Sequence, residues 1–494
     1  MAATNPGGHG TTDTDVLIVG AGPVGLFLAN ECARRGMRYR VIEMRAGQSE
    51  YSKALAIFPR TLEVFNMSGL VQPFLRIGNR VDSVAFMTRE ETLARMAFEP
   101  EGTPYPFVAM VPQDVTEKIL VAELRRRGGE VEYETTFISA AEHDGYVSAT
   151  LERRGERVQV TAKFLVGCDG AHSAVRHLLH LPFEGGQYDG AFMLADVDTN
   201  EVLPANELHL CPSEFGPLAI FPMSATRRRL VATVDVMGDG APSLELVREV
   251  VAQRAPAGFE AQGLHWSSYF RIHHRHVGRM HVGRIFIAGD AAHIHSPFGG
   301  QGMNTGLQDV WNLCWKLQLA VSGRGSQELL ESYSAERCPV IKGVIETTHR
   351  ITQAMGTKSS LAQAIRRTVI PLLSHVSAFE RGFVENLSEL GIAYSGSPIV
   401  EGGGARFWDD SLGGGQNIKD RFLLFVPLDA NDSIRKRAAA FRDSFPDLLE
   451  LRYARTVHLT LVRPDGYTAC GGKASDSARV LESMYQLMTR QARS

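Results

Sequence analysis

The feature that most constrains the fold lies near the start of the chain, where an apolar run is followed at once by a glycine-rich turn. Residues 15–19 have strand length, residues 20–25 read Gly-Ala-Gly-Pro-Val-Gly, and an apolar helical pattern then runs to Arg35. Residues 39–43 have the pattern of a second strand. A strand, a G-x-G-x-x-G turn, a helix and a strand within about 30 residues predict the β-α-β unit that binds dinucleotides.

Each glycine of this turn has its own physical task. Gly20 permits the tight turn, Gly22 lets the backbone approach a pyrophosphate, and Gly25 allows the helix and strand to pack closely. The free N–H groups at the start of the helix attract that anion. Glu43, at the end of the second strand, is placed to accept a hydrogen bond from an adenosine ribose. The motif does not distinguish NAD from FAD, and the alternative is a glycine turn beside a solvated glutamate.

A second motif favours FAD. Residues 284–288 have the pattern of a buried strand that ends in Gly289 and Asp290, so a carboxylate lies where the chain leaves the sheet. It could bind a hydroxyl of an extended polyol linker. The glycine-rich residues 299–302 then lead into a helix, and their N–H groups suit the oxygen and N1 of a flavin ring, which become negative on reduction. The alternative is a glycine-rich turn capped by Asp290.

Composition excludes several other classes of protein. The chain has 494 residues, 44% hydrophobic and 22% charged, which is typical of a globular protein of about three domains. A net charge of −3 gives no sign of a nucleic-acid or membrane partner, and residues 227–229 (Arg-Arg-Arg) are interpreted as a polar turn between strands. No apolar stretch approaches the roughly 20 residues of a spanning helix, and the first dozen residues lack a signal-peptide pattern. We therefore expect a cytoplasmic protein.

Neither the cysteines nor the histidines have the spacing of a redox or metal site. No two of the six cysteines are closer than 24 residues, so no redox dithiol is expected. Histidines occur at 273, 274, 276, 281, 293 and 295, but no H-E-x-x-H motif or cysteine partner accompanies them. We predict no metal site. We interpret residues 273–276 as part of a polar surface or a network between domains, and His293, which follows the Gly-Asp turn, as packing near the cofactor.

Three segments together resemble the signatures of the single-component FAD-dependent aromatic hydroxylases. They are DVLIVGAGPVGLFLANE (15–31), GCDGAHSAVR (167–176) and GRIFIAGDAAHIHSPFGGQGMNTGLQDVWNLCWKL (283–317), in the order expected for that family. The similarity is greatest to the phenol, chlorophenol, phenylpropionate and aromatic-polyketide hydroxylases. With the strand and helix pattern, it implies a mixed α/β fold. We expect a Rossmann-like FAD-binding domain (13–184 and 276–390), an inserted antiparallel-sheet substrate domain (185–275) and a small thioredoxin-like C-terminal domain (400–494).

The resemblance also implies an activity. NADH or NADPH reduces FAD, O2 forms a flavin C4a-hydroperoxide, and one oxygen is transferred to a phenolic or polycyclic aromatic substrate. It further suggests a homodimer. Two alternatives stay open: a Baeyer–Villiger-type oxygenase on the same scaffold, and a non-catalytic FAD-binding protein.

The resemblance assigns roles to individual residues. Those expected to bind the cofactor are Gly20, Gly22, Pro23, Val24, Gly25, Glu43, Arg45, Gln113, Asp169, Gly170, Gly289, Asp290, Pro297, Gly300, Gly302, Met303 and Asn304. Pro297, in the loop facing the flavin, and Arg60 are the catalytic candidates, although an ion pair at a helix start is the alternative for Arg60. Phe221, Met223 and Phe298 are candidate substrate contacts, with core packing as their alternative. No residue is identified as the base that deprotonates a phenol.

Overall fold

The computed structural model describes residues 12–49, 52–187, 190–235, 237–271, 273–296, 299–356, 377–415 and 420–492. The predicted flavin-loop residue Pro297 and the predicted substrate contact Phe298 lie outside these ranges. Within them the chain is a mixed α/β protein with several sheets, as predicted.

Between residues 79 and 294 the described strands occur in runs of four or five, separated by single α-helices. The strands are β1 (Thr14–Val19), β2 (Tyr39–Ile42), β3 (Ala56–Ile57), β4 (Asn79–Val81), β5 (Ser83–Met87), β6 (Thr92–Ala97), β7 (Val108–Met110), β8 (Val131–Glu132), β9 (Thr135–His143), β10 (Tyr146–Arg153), β11 (Glu156–Gly167), β12 (Glu184–Gln187), β13 (Ala191–Thr199), β14 (Glu207–Cys211), β15 (Leu218–Pro222), β16 (Arg227–Val234), β17 (Ala261–Phe270), β18 (His273–His276), β19 (His281–Val282), β20 (Ile285–Ile287), β21 (His293–Ile294), β22 (Phe422–Pro427), β23 (Leu449–Ala454), β24 (His458–Val462) and β25 (Thr468–Lys473). The helices are α1 (Pro23–Arg34), α2 (Pro59–Ser68), α3 (Val71–Ile77), α4 (Gln113–Arg126), α5 (Ala174–Leu178), α6 (Leu244–Arg254), α7 (Gly302–Val321), α8 (Gln327–Gly356), α9 (Ser377–Ser388), α10 (Asp432–Ser444) and α11 (Ser477–Ala492).

The predicted β-α-β unit forms the centre of an eight-stranded sheet. Its main path has the order β19-β20-β11-β1-β2-β8, and β10 and β9 extend it from β11. Strand β1 pairs in parallel with both β2 and β11, and β11 pairs in parallel with β20. All six residues of β1 are buried, as expected for a parallel strand covered on both faces. The carboxyl ends of β1, β11 and β20 therefore meet at one edge, where open parallel sheets bind ligands.

A second, largely antiparallel sheet has the order β17-β13-β16-β15-β14-β5-β6. Five of its strands come from the region predicted to form the inserted sheet, but β5 and β6 come from residues 83–97. The predicted boundaries placed those residues in the FAD-binding domain. They join the second sheet because β5 pairs in parallel with β14, which would otherwise be an edge strand.

The last part of the chain has a sheet of its own. Its order is β23-β22-β24-β25, with β22 and β23 parallel across α10 and the other pairs antiparallel. The core of this sheet continues into the first part of the chain, because Trp315 and Leu319 of α7 belong to the same apolar cluster. All six cysteines are free thiols, including Cys470 of β25. Among the helices of the described ranges, none is long and apolar enough to cross a bilayer.

Candidate cofactor and substrate site

The three glycines after β1 meet different surroundings. Gly20 has a φ of +101°, and a Cβ there would lie 2.4 Å from the carbonyl oxygen of Cys168. A Cβ on Gly25 would lie 1.9 Å from the carbonyl oxygen of Gly20. Gly22 has no heavy atom within 4 Å of its Cβ position, and it lines a cavity. Gly20 and Gly25 are therefore needed for the turn and its packing, whereas Gly22 leaves the backbone open at the start of α1.

One cavity of about 490 Å³ joins the carboxyl edge of the central sheet to the glycine-rich loop before α7. This volume is in the range of small-molecule sites. Its lining includes the predicted cofactor residues Gly22, Pro23, Val24, Arg45, Gln113, Gly170, Asp290, Gly300, Gly302 and Met303. The fold thus collects at one place residues that are far apart in the sequence.

Asp290 lies just after β20, in a short 3-10 helix (Gly289–Ala291) at the cavity. Its side chain is open to cavity solvent, and none of the described residues donates a hydrogen bond to it. The enclosing protein raises the pKa of this carboxyl, while His293 and Lys53 act in the opposite direction. An unpaired carboxylate in this position can accept a hydrogen bond from a ligand hydroxyl.

Asn304 holds the glycine-rich loop against β3. Its Nδ2 donates to the carbonyl oxygens of Ala56 and Gly300 at 2.9 and 3.1 Å, and its Oδ1 accepts from the N–H of Phe58 at 3.0 Å. Gly300 has a φ of +63°, which glycine adopts without strain. Asn304 is fully buried, so it positions the loop and does not face the cavity itself.

Gln113 begins α4 and fastens the segment beside the cavity. Its N–H donates to Ser52 Oγ at 2.9 Å, and its Oε1 accepts from the N–H of Ala54 at 3.2 Å. Its Nε2 donates to Glu117 at 3.0 Å. The amide is therefore held in one orientation while the side chain lines the cavity.

Glu43 lies behind the cavity wall and is only 6% exposed. It accepts hydrogen bonds from the N–H of Ala21 at 3.0 Å and from Nε of Arg45 at 2.9 Å. Burial alone would raise the pKa of Glu43, but these hydrogen bonds lower it overall. The carboxylate is thus kept ionised, and its contact with a ribose stays a prediction.

Asp169 and Gly289 also support the site from behind. Asp169 Oδ2 accepts from the N–H of Val175 at 3.1 Å. The N–H of Gly289 donates to Asp309 at 3.1 Å, and a Cβ on Gly289 would lie 3.0 Å from a methyl group of Val24. Both residues hold the turns that follow parallel strands of the central sheet.

The remaining predicted residues differ in their relation to the cavity. Phe221 lies where the cavity meets a narrow apolar cleft, whereas Met223 lines neither of them. Arg60 is fully buried and lines neither, because it pairs with Glu63 at 2.9 Å and lies 4.6 Å from the ring centre of Tyr467. Arg60 therefore forms the helix-start ion pair that was the alternative to a catalytic role.

Two charged groups at the cavity were not predicted. Residues 227–229, interpreted from the sequence as a polar turn, instead begin β16, and Arg229 is buried beside the cavity. It can be buried because it pairs with Asp196 at 2.7 Å and donates to the carbonyl oxygen of Lys53 at 3.0 Å. The pairing partner, 33 residues away, has no local signal in the sequence.

The second group joins His293, which was expected near the cofactor and lines the cavity, to two partners that were not predicted. Its Nε2 lies 2.7 Å from Asp309 Oδ2, and Asp309 Oδ1 accepts from Nε of Arg337 at 2.7 Å. All three side chains are buried. The signal available in the sequence was Asp309, a charged residue on the apolar face of the helix pattern.

These residues fit FAD. Open backbone at Gly22 and the N-terminus of α1 suit a pyrophosphate, the unpaired Asp290 suits a hydroxyl, and the loop at Gly300 suits the polar edge of a ring. Within the described ranges, no group of three or more His, Cys, Asp or Glu side chains could hold a metal ion.

Known proteins are similar to this chain in sequence and fold. The model of the FAD-binding domain family matches residues 13–348. The 6-methylpretetramide 4-monooxygenase of Streptomyces rimosus is 36% identical over 404 residues, which cover 79% of this chain and 71% of that protein. The rifampicin monooxygenase of Streptomyces venezuelae is 30% identical over 484 residues, which cover 96% and 97%.

A solved structure is also similar to this chain. The structure of CabE, an aromatic hydroxylase from angucycline biosynthesis, has a TM-score of 0.78 and 27% identity, and the match covers 98% of this chain and 100% of that one. The FAD-binding resemblance predicted from the three motifs is confirmed. The chain belongs to the FAD-binding domain family, and its named relatives are monooxygenases.

Proposed function

We propose that this protein is an FAD-dependent monooxygenase that uses NADH or NADPH and O2 to hydroxylate a phenolic or polycyclic aromatic compound. The observation that carries the proposal is the single cavity that unites Gly22, Asp290 and Gly300 in a chain of the FAD-binding family. The names of its relatives, which include monooxygenases and an aromatic hydroxylase, support the class of reaction and substrate.

The bound cofactor supplies electron transfer from NAD(P)H and the activation of O2. The protein binds the cofactor and orients it. The N–H groups at Gly22 and the start of α1 bind the pyrophosphate, Asp290 accepts a hydrogen bond from the polyol, and Glu43 accepts one from the ribose. Backbone N–H groups between Gly300 and Met303 stabilise negative charge on the ring edge, as donors at a helix start do.

We further propose three domains for the chain. The FAD-binding domain comprises 13–184 and 276–390, with β5 and β6 assigned instead to the substrate sheet. Residues 185–275 supply the rest of that sheet, and 400–494 form a thioredoxin-like domain. Two observations support this division. The eight-stranded central sheet and the seven-stranded second sheet are separate. The end of the chain has its own β-α-β unit, which is followed by antiparallel strands and α11.

Turnover tests the reaction class. The purified, FAD-loaded protein should oxidise NADPH or NADH faster when a phenol from a panel is added, and the product should gain one oxygen from labelled O2. An inserted ester oxygen in a ketone substrate would instead indicate the Baeyer–Villiger alternative. Bound FAD with no stimulated oxidation on any aromatic would indicate the non-catalytic alternative.

Replacing Asp290 by alanine is expected to weaken FAD binding by about 10- to 100-fold. A hydrogen bond to an ionised group contributes about 1.5–3 kcal/mol, and none of the described side chains replaces this carboxylate. Fluorescence titration of the apoprotein with FAD measures the change. The matched control is Asp443→Ala, at an exposed aspartate of α10, which should bind FAD as the wild type does. Unchanged FAD affinity in Asp290→Ala would show that the assignment of this carboxylate is wrong.

A further inference from the structure

A narrow apolar cleft extends from the large cavity at Ala56, Phe221 and Gly300, which line both spaces. Its volume is about 50 Å³, enough for the edge of a flat ring and little more. The described residues around it carry apolar side chains or are glycines, and none of them has a charged, hydroxyl or amide group. The cleft therefore differs from the cavity, which contains several charged groups.

Helix α9 supplies one wall of the cleft, opposite strands of the second sheet. Phe383 and Leu387 are four residues apart, so they share one face of the helix, and both line the cleft. Leu208 and Leu210 of β14 line it from the sheet. Two side chains of a single helix thus form one wall of the cleft.

The same helix is attached to the helix that follows the glycine-rich loop. Gln301 Nε2 donates to the carbonyl oxygen of Asn386 at 3.0 Å, and Gln308 Nε2 donates to Glu389. Burial raises the pKa of Glu389 to about 8. The attachment holds α9 in a fixed position beside the loop.

We propose that this cleft receives one end of the aromatic substrate, and that this end is uncharged. Phe383 and Leu387 are then specificity-determining residues. Moving an apolar ring edge out of water into the cleft is favourable, whereas a carboxylate there loses its hydration and meets no side-chain donor among the described residues of the cleft. The inference rests on the proposed function, because it defines which aromatic compounds that site accepts.

A matched pair of probes tests the charge preference in the FAD-loaded protein. 2-Naphthol and 6-hydroxy-2-naphthoate share the rings and the hydroxyl and differ in one carboxylate. Perturbation of the flavin absorbance gives a Kd for each, and we expect 2-naphthol to bind at least about 30-fold more tightly. Equal or tighter binding of the naphthoate, or no binding of 2-naphthol, would overturn the proposal.

A charge placed on α9 tests the assigned wall. Leu387→Lys should shift the ratio of the two Kd values toward the naphthoate by at least about tenfold, because it supplies the missing cation. Asn386→Lys adds the same charge at the neighbouring, exposed position and should leave the ratio unchanged. If Leu387→Lys does not retain FAD, Phe383→Ala takes its place and should improve binding of 2-anthrol relative to 2-naphthol. If neither variant changes the ratio of Kd values for its pair of ligands, α9 does not select the substrate.

Binding and turnover separate this inference from the proposed function. Tight binding of 2-naphthol without stimulated oxidation of NADPH or NADH would contradict the hydroxylation while supporting the apolar cleft. Hydroxylation of both probes with equal Kd values would support the hydroxylation while contradicting the uncharged-substrate inference.

Discussion

Replacing Glu336 by alanine is expected to lower the free energy of unfolding by about 3–5 kcal/mol, because it leaves buried Lys316 without its carboxylate partner and buried Arg463 with Asp465 alone. Glu336 accepts hydrogen bonds from both terminal nitrogens of Arg463, at 2.6 and 2.9 Å, and from Lys316 Nζ at 2.8 Å. All three side chains are inaccessible to solvent. Burial would raise the pKa of Glu336, but the two cations lower it well below its ordinary value.

The direction of that pKa shift gives the pH dependence. Because the folded pKa of Glu336 is depressed, its stabilising contribution is fully present above the unfolded value of about 4.5 and is lost as the pH falls toward the folded value. Denaturant titrations of the wild type and Glu336→Ala at pH 7 and pH 3.5 measure this. The difference in free energy of unfolding between the wild type and Glu336→Ala should be larger at pH 7 than at pH 3.5.

An exposed glutamate of the same helix provides the control. Glu331→Ala should change the free energy of unfolding by less than about 0.5 kcal/mol, as surface substitutions usually do. A similarly small change in Glu336→Ala would contradict the expected cost of removing the carboxylate that Lys316 and Arg463 share.

The position of this cluster has a consequence for the whole chain. Lys316 lies in α7 and Glu336 in α8, whereas Arg463 and its second partner Asp465 lie in the turn between β24 and β25. Trp311 donates to the carbonyl oxygen of Asp465 at 3.0 Å. The last sheet is therefore joined to the FAD-binding part through buried charges, and it packs there as part of one core.

These buried pairs also show where prediction from the sequence ends. The turn after β1 and the position of Asp290 could be predicted because the necessary residues are consecutive and their spacing specifies a local backbone path. Arg463 and Glu336 are 127 residues apart, and the pair of His293 with Asp309 spans a sheet turn and a helix. A charged residue within an apolar pattern indicates that a partner exists, but not which residue it is.

The pairing of distant strands also cannot be predicted from local sequence. The local pattern of residues 83–97 does not indicate that β5 pairs with β14, more than 100 residues later. A five-residue strand with buried Val84 and Ala85 fits the edge of either sheet. Its pairing satisfies the backbone groups of β14, and Val84 joins the apolar cluster of the second sheet.

Replacing Gly22 by valine is expected to abolish FAD binding and leave the fold intact. Gly22 has φ −73° and ψ −177°, which any residue adopts, and no heavy atom lies within 4 Å of its Cβ position. The added side chain would instead occupy the cavity at the N-terminus of α1, where the pyrophosphate is expected. We expect FAD affinity to fall by at least about 100-fold and the free energy of unfolding of the apoprotein to change by no more than about 1 kcal/mol.

The neighbouring glycine supplies the contrast that makes this result specific. Gly25→Val should fail to fold, because its Cβ would lie 1.9 Å from the carbonyl oxygen of Gly20. Circular dichroism and thermal unfolding of both apoproteins, followed by fluorescence titration with FAD, distinguish a lost ligand from a lost fold. A Gly22→Val protein that folds and takes up FAD with wild-type affinity would place the pyrophosphate elsewhere. A Gly22→Val protein that unfolds would show that this glycine serves the turn, as Gly20 and Gly25 do, and not the approach of a ligand.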